Sequence, residues 1–155
     1  ERYQQPFDFR ALGPEPCCLV VNSRHPLAQF DEGATAQLSD WPWVMYPFSA
    51  PIRRRMESAF TEFNMRTPTN TVETISMPTF LQLLQSGPML AMLPESMVQS
   101  QVQSGMLKVL NTPFKVEPQD YGIITRKDEP LSAAAREFAD TLLEVARLRR
   151  EASEP

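Results

Sequence analysis

Residues 41–60, WPWVMYPFSAPIRRRMESAF, pass from an apolar segment into a patterned one. The apolar residues 41–47 predict a strand. From Pro51 to Phe63, apolar side chains recur at steps of three and four, which predicts an amphipathic helix. Pro51 suits the first turn of that helix, and Ser49 is a candidate N-cap. The stretch therefore predicts a strand joined to a helix by a short turn that carries a hydroxyl group.

The same alternation of strand and helix continues on both sides. Other short apolar runs predict strands at 17–21, 69–75, 89–94, 107–110 and 121–126. Further helices are predicted after the caps Ser76 and Ser132 and over 95–104, whereas residues 1–16 and 22–40 show no clean period. Such alternation predicts an α/β fold with a largely parallel sheet and right-handed crossovers.

Composition narrows the class of protein. The chain has 155 residues, of which 42% are hydrophobic and 22% charged, so we expect one globular domain, or a small domain plus part of another. A net charge of −4 argues against a nucleic-acid-binding surface. No apolar run reaches the roughly 20 residues of a membrane span, and the first residues have no signal-peptide pattern. Since the chain does not begin with Met, we interpret it as a fragment or a processed product.

The two cysteines and the single histidine offer little chemistry. Cys17 and Cys18 are adjacent, which disfavours a disulfide between them and fits a reducing cytoplasm. They are interpreted as small buried residues, with a redox role as the minor alternative. One histidine cannot build a histidine-based metal cluster, and His25 is expected to face solvent. No metal or cofactor is therefore expected.

Two of the predicted strand-to-helix turns carry hydroxyl groups. They are residues 46–51 and 73–78, and parallel strands would place both at one edge of the sheet. Backbone N–H groups at a helix start, together with a serine hydroxyl, can hold a small anion. The alternative is that each serine only caps its helix. Arg53 is close enough to the first turn to reach an anion, and Glu73 is either a functional carboxylate or a salt-bridge partner.

Sequence motifs of enzymes are missing from the chain. It contains no G-x-S-x-G elbow, no phosphate-binding loop and no G-x-G-x-x-G fingerprint. The single histidine has no serine or cysteine partner within a motif. We therefore expect a binding protein and not an enzyme, with a hydrolase as a remote alternative.

The order of several short motifs resembles the effector-binding region of LysR-type transcriptional regulators. They are HPLA (25–28), VETIS (72–76), LP (93–94), G-x-L (105–107) and GI-x-x-R…LS-A-A…F (122–138). The resemblance covers about residues 17–146. It implies an α/β fold of the type 2 periplasmic-binding-protein class, with a largely parallel, Rossmann-like sheet and flanking helices.

The resemblance also implies a domain organisation. Residues 1–41 and 113–155 would form part of regulatory subdomain I, and residues 42–112 would form regulatory subdomain II. The helix-turn-helix domain and the first half of subdomain I would then be missing. The chain by itself should not bind DNA, although the full-length protein would do so as a bacterial, cytoplasmic homodimer or homotetramer.

Finally, the resemblance implies a small-molecule effector, usually an organic acid or another metabolite, in the cleft between the subdomains. An organic anion is expected, and its binding would control DNA binding and transcription. The candidate contacts, including Arg53 from the reasoning above, are Pro47, Phe48, Ser49, Arg53, Thr74, Ile75, Ser76, Phe80 and Tyr121. A solute-binding module of a transport system shares the two-lobed architecture and is the alternative.

Overall fold

The computed structural model describes residues 6–29 and 38–153. Its strands are β1 Phe7–Glu15, β2 Cys17–Asn22, β3 Trp43–Met45, β4 Thr71–Glu73, β5 Leu90–Pro94, β6 Leu107–Val109 and β7 Gln119–Arg126. Its α-helices are α1 Pro51–Glu62, α2 Met77–Ser86, α3 Glu95–Gln103 and α4 Ala133–Ser153. A short 3-10 helix, Pro26–Gln29, follows β2. The α/β class expected from the sequence is confirmed.

The chain divides into two compact units. Residues 16–117 form one unit, and residues 1–15 and 118–155 contribute to the other. The boundaries of these units differ from 41/42 and 112/113, which the resemblance implies for the regulatory subdomains. Residues 17–22 fall in the larger unit because they form a central strand of its sheet. The assignment of regulatory subdomains stays a prediction.

The larger unit is built on a five-stranded mixed sheet. Its strand order is β4-β3-β5-β2-β6. β3 runs parallel to β4 and β5, whereas β2 runs antiparallel to both of its neighbours, β5 and β6. The expectation of a largely parallel sheet was thus too simple. A continuous apolar run such as CCLVV can bury both faces in either direction, so the pattern does not determine strand direction.

Helices α1 and α2 cover opposite faces of this sheet. Trp43 and Met45 of β3 belong to the same core cluster as Phe60 of α1, whereas Val44 belongs to the cluster that contains Phe80 of α2. This division follows from the alternation of side chains along a strand. The larger unit therefore has a helix–sheet–helix layering with an apolar core on each face.

Strands β1 and β7 pair antiparallel in the other unit, and the register shifts between Ala11 and Gly13. The sequence did not predict β1. Helix α4 was predicted, and its Ser132 cap is confirmed because the Ser132 hydroxyl accepts a hydrogen bond from the N–H of Ala135 at 3.2 Å. In this helix Ala139 is buried, whereas Phe138 is 66% exposed. Among the described residues, no helix combines the length and the apolar character needed to cross a membrane.

Candidate functional site

The ends of β3 and β4 bring the two hydroxyl-bearing turns together. The strands are parallel neighbours, and Met45 of β3 stands opposite Glu73 of β4. The N–H of Thr74 donates a hydrogen bond to the carbonyl of Met45 at 3.0 Å. Residues 46–50 and 74–76 therefore leave the sheet at the same edge, as the sequence predicted. We call these eight residues the turn pair.

The N-cap of helix α1 lies one residue later than expected, although the helix begins at Pro51 as predicted. The N–H of Ala50 donates to the carbonyl of Pro47 at 2.9 Å, which closes a tight turn. Ala50 is consequently the N-cap, and no side chain caps the helix. The prediction of Ser49 as the N-cap was wrong, because Ser49 lies inside the tight turn and Ala50 occupies the cap position. The side chain of Ser49 is exposed instead.

The second turn uses its hydroxyl groups to order its own backbone. The hydroxyl of Thr74 accepts a hydrogen bond from the N–H of Ser76 at 3.0 Å. The hydroxyl of Ser76 accepts one from the N–H of Thr79 at 3.4 Å, so the predicted Ser76 cap of α2 is confirmed. These bonds satisfy donors that a helix start otherwise leaves open. The turn is thus already fixed in its conformation by Thr74 and Ser76.

Prolines further reduce the backbone donors of both helices. Pro51 in α1 and Pro78 in α2 have no N–H group. The N–H of Arg53 donates to the carbonyl of Ala50 at 3.1 Å. Among the first three residues of each helix, Ile52 in α1 and Met77 in α2 are the ones whose N–H group takes part in none of the hydrogen bonds described above. The turn pair therefore offers fewer amide donors than two unmodified helix starts would.

Arg53 ties helix α1 to both turns. Its guanidinium donates to Glu57 at 2.6 Å through Nε, and to Glu73 at 2.8 Å through Nη1. Nη1 also donates to the carbonyl of Tyr46 at 2.9 Å. Arg53 is only 3% exposed, and a buried charge needs such partners. The nitrogens Nε and Nη1 thus position the turns, whereas a direct contact of Arg53 with an effector stays a prediction.

The two phenylalanines occupy different environments. Phe48 is 64% exposed, and its ring lies over the Arg53 guanidinium with 4.0 Å between Cζ and the ring centroid. Phe80 is fully buried, and its ring centroid lies 4.9 Å from that of Tyr46. Phe80 therefore supports the first turn from within the core. Its side chain has no exposed surface, and its role as a ligand contact stays a prediction.

Most of the remaining candidates lie on the turn pair. Ile75 has an exposed side chain, whereas those of Pro47 and Thr74 are partly buried. Tyr121 belongs to the other unit, where it pairs with Gly13 and has an exposed side chain. The structure thus brings all the candidates except Tyr121 into one unit. Their individual roles in binding stay predictions.

Sequence reasoning missed two residues of this network, Glu57 and Thr67. Glu57 accepts from Arg53 through Oε1 and from the hydroxyl of Thr67 at 3.1 Å through Oε2. The four-residue spacing of Arg53 and Glu57 on a helix was a usable signal, because such pairs face each other. Thr67 had no such signal, since it follows the end of the helix.

The other titratable groups do not form a reactive centre. Cys17 and Cys18 form no disulfide, and burial raises the pKa of Cys18 to about 12, so its thiol stays protonated. Within the described part of the chain, no cluster of His, Cys, Asp and Glu could hold a metal ion. The expectation that His25 faces solvent was wrong. His25 is buried, and that burial lowers the pKa of its imidazole.

The chain matches a known protein family over most of its length. The family model described as the LysR substrate binding domain matches residues 2–147. The chain belongs to this family. The match covers both compact units, so the resemblance expected from the short motifs is confirmed.

The relatives extend beyond this chain. The HTH-type transcriptional regulator GbpR of Azospirillum brasilense is 29% identical over 133 residues, which are 84% of this chain and 38% of that protein. A GbpR of Rhizobium radiobacter is 35% identical over 78 residues, which are 50% of this chain and 26% of that protein. The chain thus spans well under half the length of these curated relatives.

Solved structures confirm the fold. The effector binding domain of QuiR in complex with shikimate matches with a TM-score of 0.76 at 18% identity, over 95% of this chain and 68% of that one. The Synechocystis CcmR regulatory domain in complex with 2-PG matches with a TM-score of 0.75 at 16% identity, over 92% and 68% of the two chains. The family-specific α/β fold of the periplasmic-binding-protein class is therefore established for this chain.

Proposed function

We propose that this chain is the effector-sensing domain of a LysR-type transcriptional regulator, and that it binds a small organic acid or another small metabolite at the turn pair. The observation that carries this proposal is the parallel pairing of β3 with β4. It places two helix starts and their turns at the carboxyl ends of neighbouring strands. In open α/β sheets, this is where ligands bind.

The chemistry of the turn pair supports binding without catalysis. Ser49 and Ser76 are exposed and have hydroxyl groups that can exchange hydrogen bonds with a polar ligand. Phe48 and Ile75 add exposed apolar surface beside them. None of these groups is an activated nucleophile or a general base. We infer that the domain recognises its ligand and leaves it chemically unchanged.

A regulatory function follows from linkage. An effector that binds one arrangement of the protein more tightly than another shifts the population toward it. Coupling energies of about 1–3 kcal/mol are typical of such shifts. DNA contact would be made by a helix-turn-helix domain outside this chain. The chain itself has a net charge of −4, which disfavours contact with DNA phosphates. We infer a cytoplasmic homodimer or homotetramer as the functional form.

A ligand screen tests the proposal. We expect at least one compound, among organic acids and neutral metabolites, to raise the melting temperature of the full chain. Stabilisation at a ligand concentration of 100 Kd is about 2.7 kcal/mol, which differential scanning fluorimetry detects easily. Calorimetric titration of that compound should then give one site per chain. If no compound of either kind shifts the melting temperature or produces binding heat, the proposed function is wrong.

A further inference from the structure

The charged side chains that bond to the turn pair through Arg53 carry an excess of negative charge. Residues 46–50 and 74–76 contain no Lys or Arg. Arg53 is the cation bonded to this edge, and two carboxylates, Glu57 and Glu73, are paired with it at 2.6 and 2.8 Å. This group of three therefore has a formal charge of −1. A ligand carboxylate placed against this group of three would be repelled on balance. The next two arginines of α1 do not bond to the turn pair in the hydrogen bonds described: Arg54 is exposed, and Arg55 donates to the carbonyl of Glu117 at 3.0 Å.

The backbone compensates for that charge only in part, because Ile52 and Met77 alone keep an open N–H group among the first three positions of α1 and α2. An anion at a helix start normally relies on several free N–H groups. Here Pro51 and Pro78 have none, and the N–H groups of Ser76 and Thr79 already donate to hydroxyl oxygens. The features that would attract a carboxylate are thus weak at this edge.

The exposed groups suit a different ligand. One face of the Phe48 ring lies on the Arg53 guanidinium, and Phe48 remains 64% exposed, which leaves ring surface for a ligand. The side chain of Glu73 is 39% exposed, and its Oε1 accepts from Arg53. A carboxylate has further acceptor capacity, which an alcohol O–H can use. The exposed Phe48 ring and the Glu73 carboxylate both contact Arg53. Together they match a ligand ring that has C–H groups on its faces and hydroxyl groups at its edge.

We propose that the turn pair takes an uncharged polyhydroxylated ring, a sugar or a cyclitol, with its C–H face on Phe48 and a hydroxyl group donating to Glu73. This inference rests on the proposed function and narrows the ligand to its neutral members. A carboxylate is disfavoured at this position because Arg53 is already neutralised by Glu57 and Glu73.

Matched ligand pairs test the charge preference. We would titrate the full chain with D-glucose against D-glucuronate and D-galactose against D-galacturonate, which differ only in the charged group, and with myo-inositol. We expect at least one neutral compound to bind. If that compound is D-glucose or D-galactose, its affinity should be at least tenfold higher than that of the matching uronate. Raising the salt concentration should narrow that gap, because screening weakens the repulsion.

The outcomes separate the two proposals. If a uronate binds as tightly as its neutral partner, or if only carboxylates from the wider screen bind, the neutral-ring inference is overturned and the proposed function stands. If no compound of either class binds, both proposals fail.

Variants test the two side chains. Phe48→Ala should weaken binding of the neutral ring at least tenfold, whereas Phe138→Ala, which truncates another exposed phenylalanine, should leave it unchanged. Glu73→Gln should weaken the neutral ligand and reduce its advantage over the uronate, and Glu62→Gln on the exposed end of α1 is its control. Wild-type affinity in Phe48→Ala would overturn the inference, even if Glu73→Gln fails to fold.

Discussion

At the scale of single residues, Arg53 shows how one buried side chain organises a surface. Its bonds reach Glu57 on its own helix, Glu73 at the end of β4 and the carbonyl of Tyr46 in the first turn. Loss of one partner from a buried ion pair typically costs about 3–5 kcal/mol, since the remaining charge is left buried and uncompensated. The relative placement of the two turns thus depends on a residue that is itself almost inaccessible.

Ser76 separates a capping role from a binding role. Ser76→Ala should cost about 1 kcal/mol of stability, because the N–H of Thr79 loses its acceptor. We expect effector affinity to fall by more than this, at least tenfold, since the hydroxyl also lies on the turn pair. Calorimetric titration and urea unfolding of the same variant provide the two numbers.

Ser132→Ala is the matched control for that experiment. Ser132 caps α4 in the other unit by the same kind of bond, from the N–H of Ala135. Its loss should lower stability by a similar amount and leave effector affinity unchanged. Equal losses of affinity in both variants would show that Ser76 acts only as a cap.

His25 should make stability depend on pH. Its Nδ1 accepts a hydrogen bond from the N–H of Leu27 at 3.0 Å, and Nε2 lies 3.3 Å from the carbonyl of Pro88. Protonation of Nδ1 would make its N–H group face the N–H of Leu27, so two hydrogen-bond donors would meet in a buried site. The pKa of His25 is accordingly held below its ordinary value of 6.5, mainly by burial.

The sign of the effect follows from that direction. The contribution of neutral His25 is complete above pH 6.5, the ordinary pKa, and is lost as the pH falls toward the folded-state pKa. We expect the unfolding free energy to fall by up to about 1.4 kcal/mol per pH unit in that range. Urea unfolding between about pH 7.5 and 5.5 measures it. His25→Asn keeps an acceptor that does not titrate there, and an equally steep slope in this variant would contradict the assignment.

At the scale of elements, helix α1 depends on an aromatic cluster. Phe60 is fully buried, with its ring centroid 5.4 Å from that of Trp43 and 4.8 Å from that of Phe114. Phe60→Ala should therefore destabilise the protein by about 3–5 kcal/mol through lost burial and a cavity. Chemical denaturation measures this loss. The exposed Phe138→Ala should change stability by no more than about 0.5 kcal/mol, and a similarly small loss for Phe60 would mean that the cluster is not packed as described.

The elements with a strong apolar period could be predicted from the sequence. The helix expected over 51–63 is observed at Pro51–Glu62, and the strand expected over 17–21 at Cys17–Asn22. Strand β1 was missed although Phe7, Phe9 and Ala11 alternate with polar residues, because that alternation is short and the hydrogen-bond partners of β1 lie in β7, more than a hundred residues later. Strand direction could not be predicted either, because a continuous apolar run buries both faces of a strand whether it runs parallel or antiparallel to its neighbours.

The candidate site could be predicted from the sequence in part: the two turns could, and the contacts between them could not. The two turns were identified because serine and proline mark helix starts. The pairing of Arg53 with Glu73 was not, since twenty residues separate them and only the parallel register of β3 and β4 brings them together. The burial of Phe80 was also missed, although it shares the apolar face of α2 with Leu84. The local sequence pattern thus predicted where the turns lie, whereas the ion pairs beside them depend on the tertiary pairing of β3 with β4.

At the scale of the whole molecule, the division after Glu15 and after Glu117 has a direct consequence for folding. Residues 16–117 contain all five strands of the mixed sheet and both of its core clusters. We expect this segment to fold when expressed alone. Its thermal unfolding, followed by circular dichroism, should be cooperative, with an enthalpy of about 60–80 kcal/mol, as is usual for a domain of about 100 residues.

The segment 42–112, which matches the expected regulatory subdomain II, provides the contrasting case. It lacks β2, which pairs with both β5 and β6, so the sheet would lose the strand that joins its two halves. It also lacks Phe114, which contacts Phe60 and Trp43 in the core. We therefore expect 42–112 to show no cooperative transition under conditions in which 16–117 is folded. A cooperative transition in 42–112 with an enthalpy matching that of 16–117 would show that the folding unit ends where the sequence suggested, and that β2 is peripheral to it.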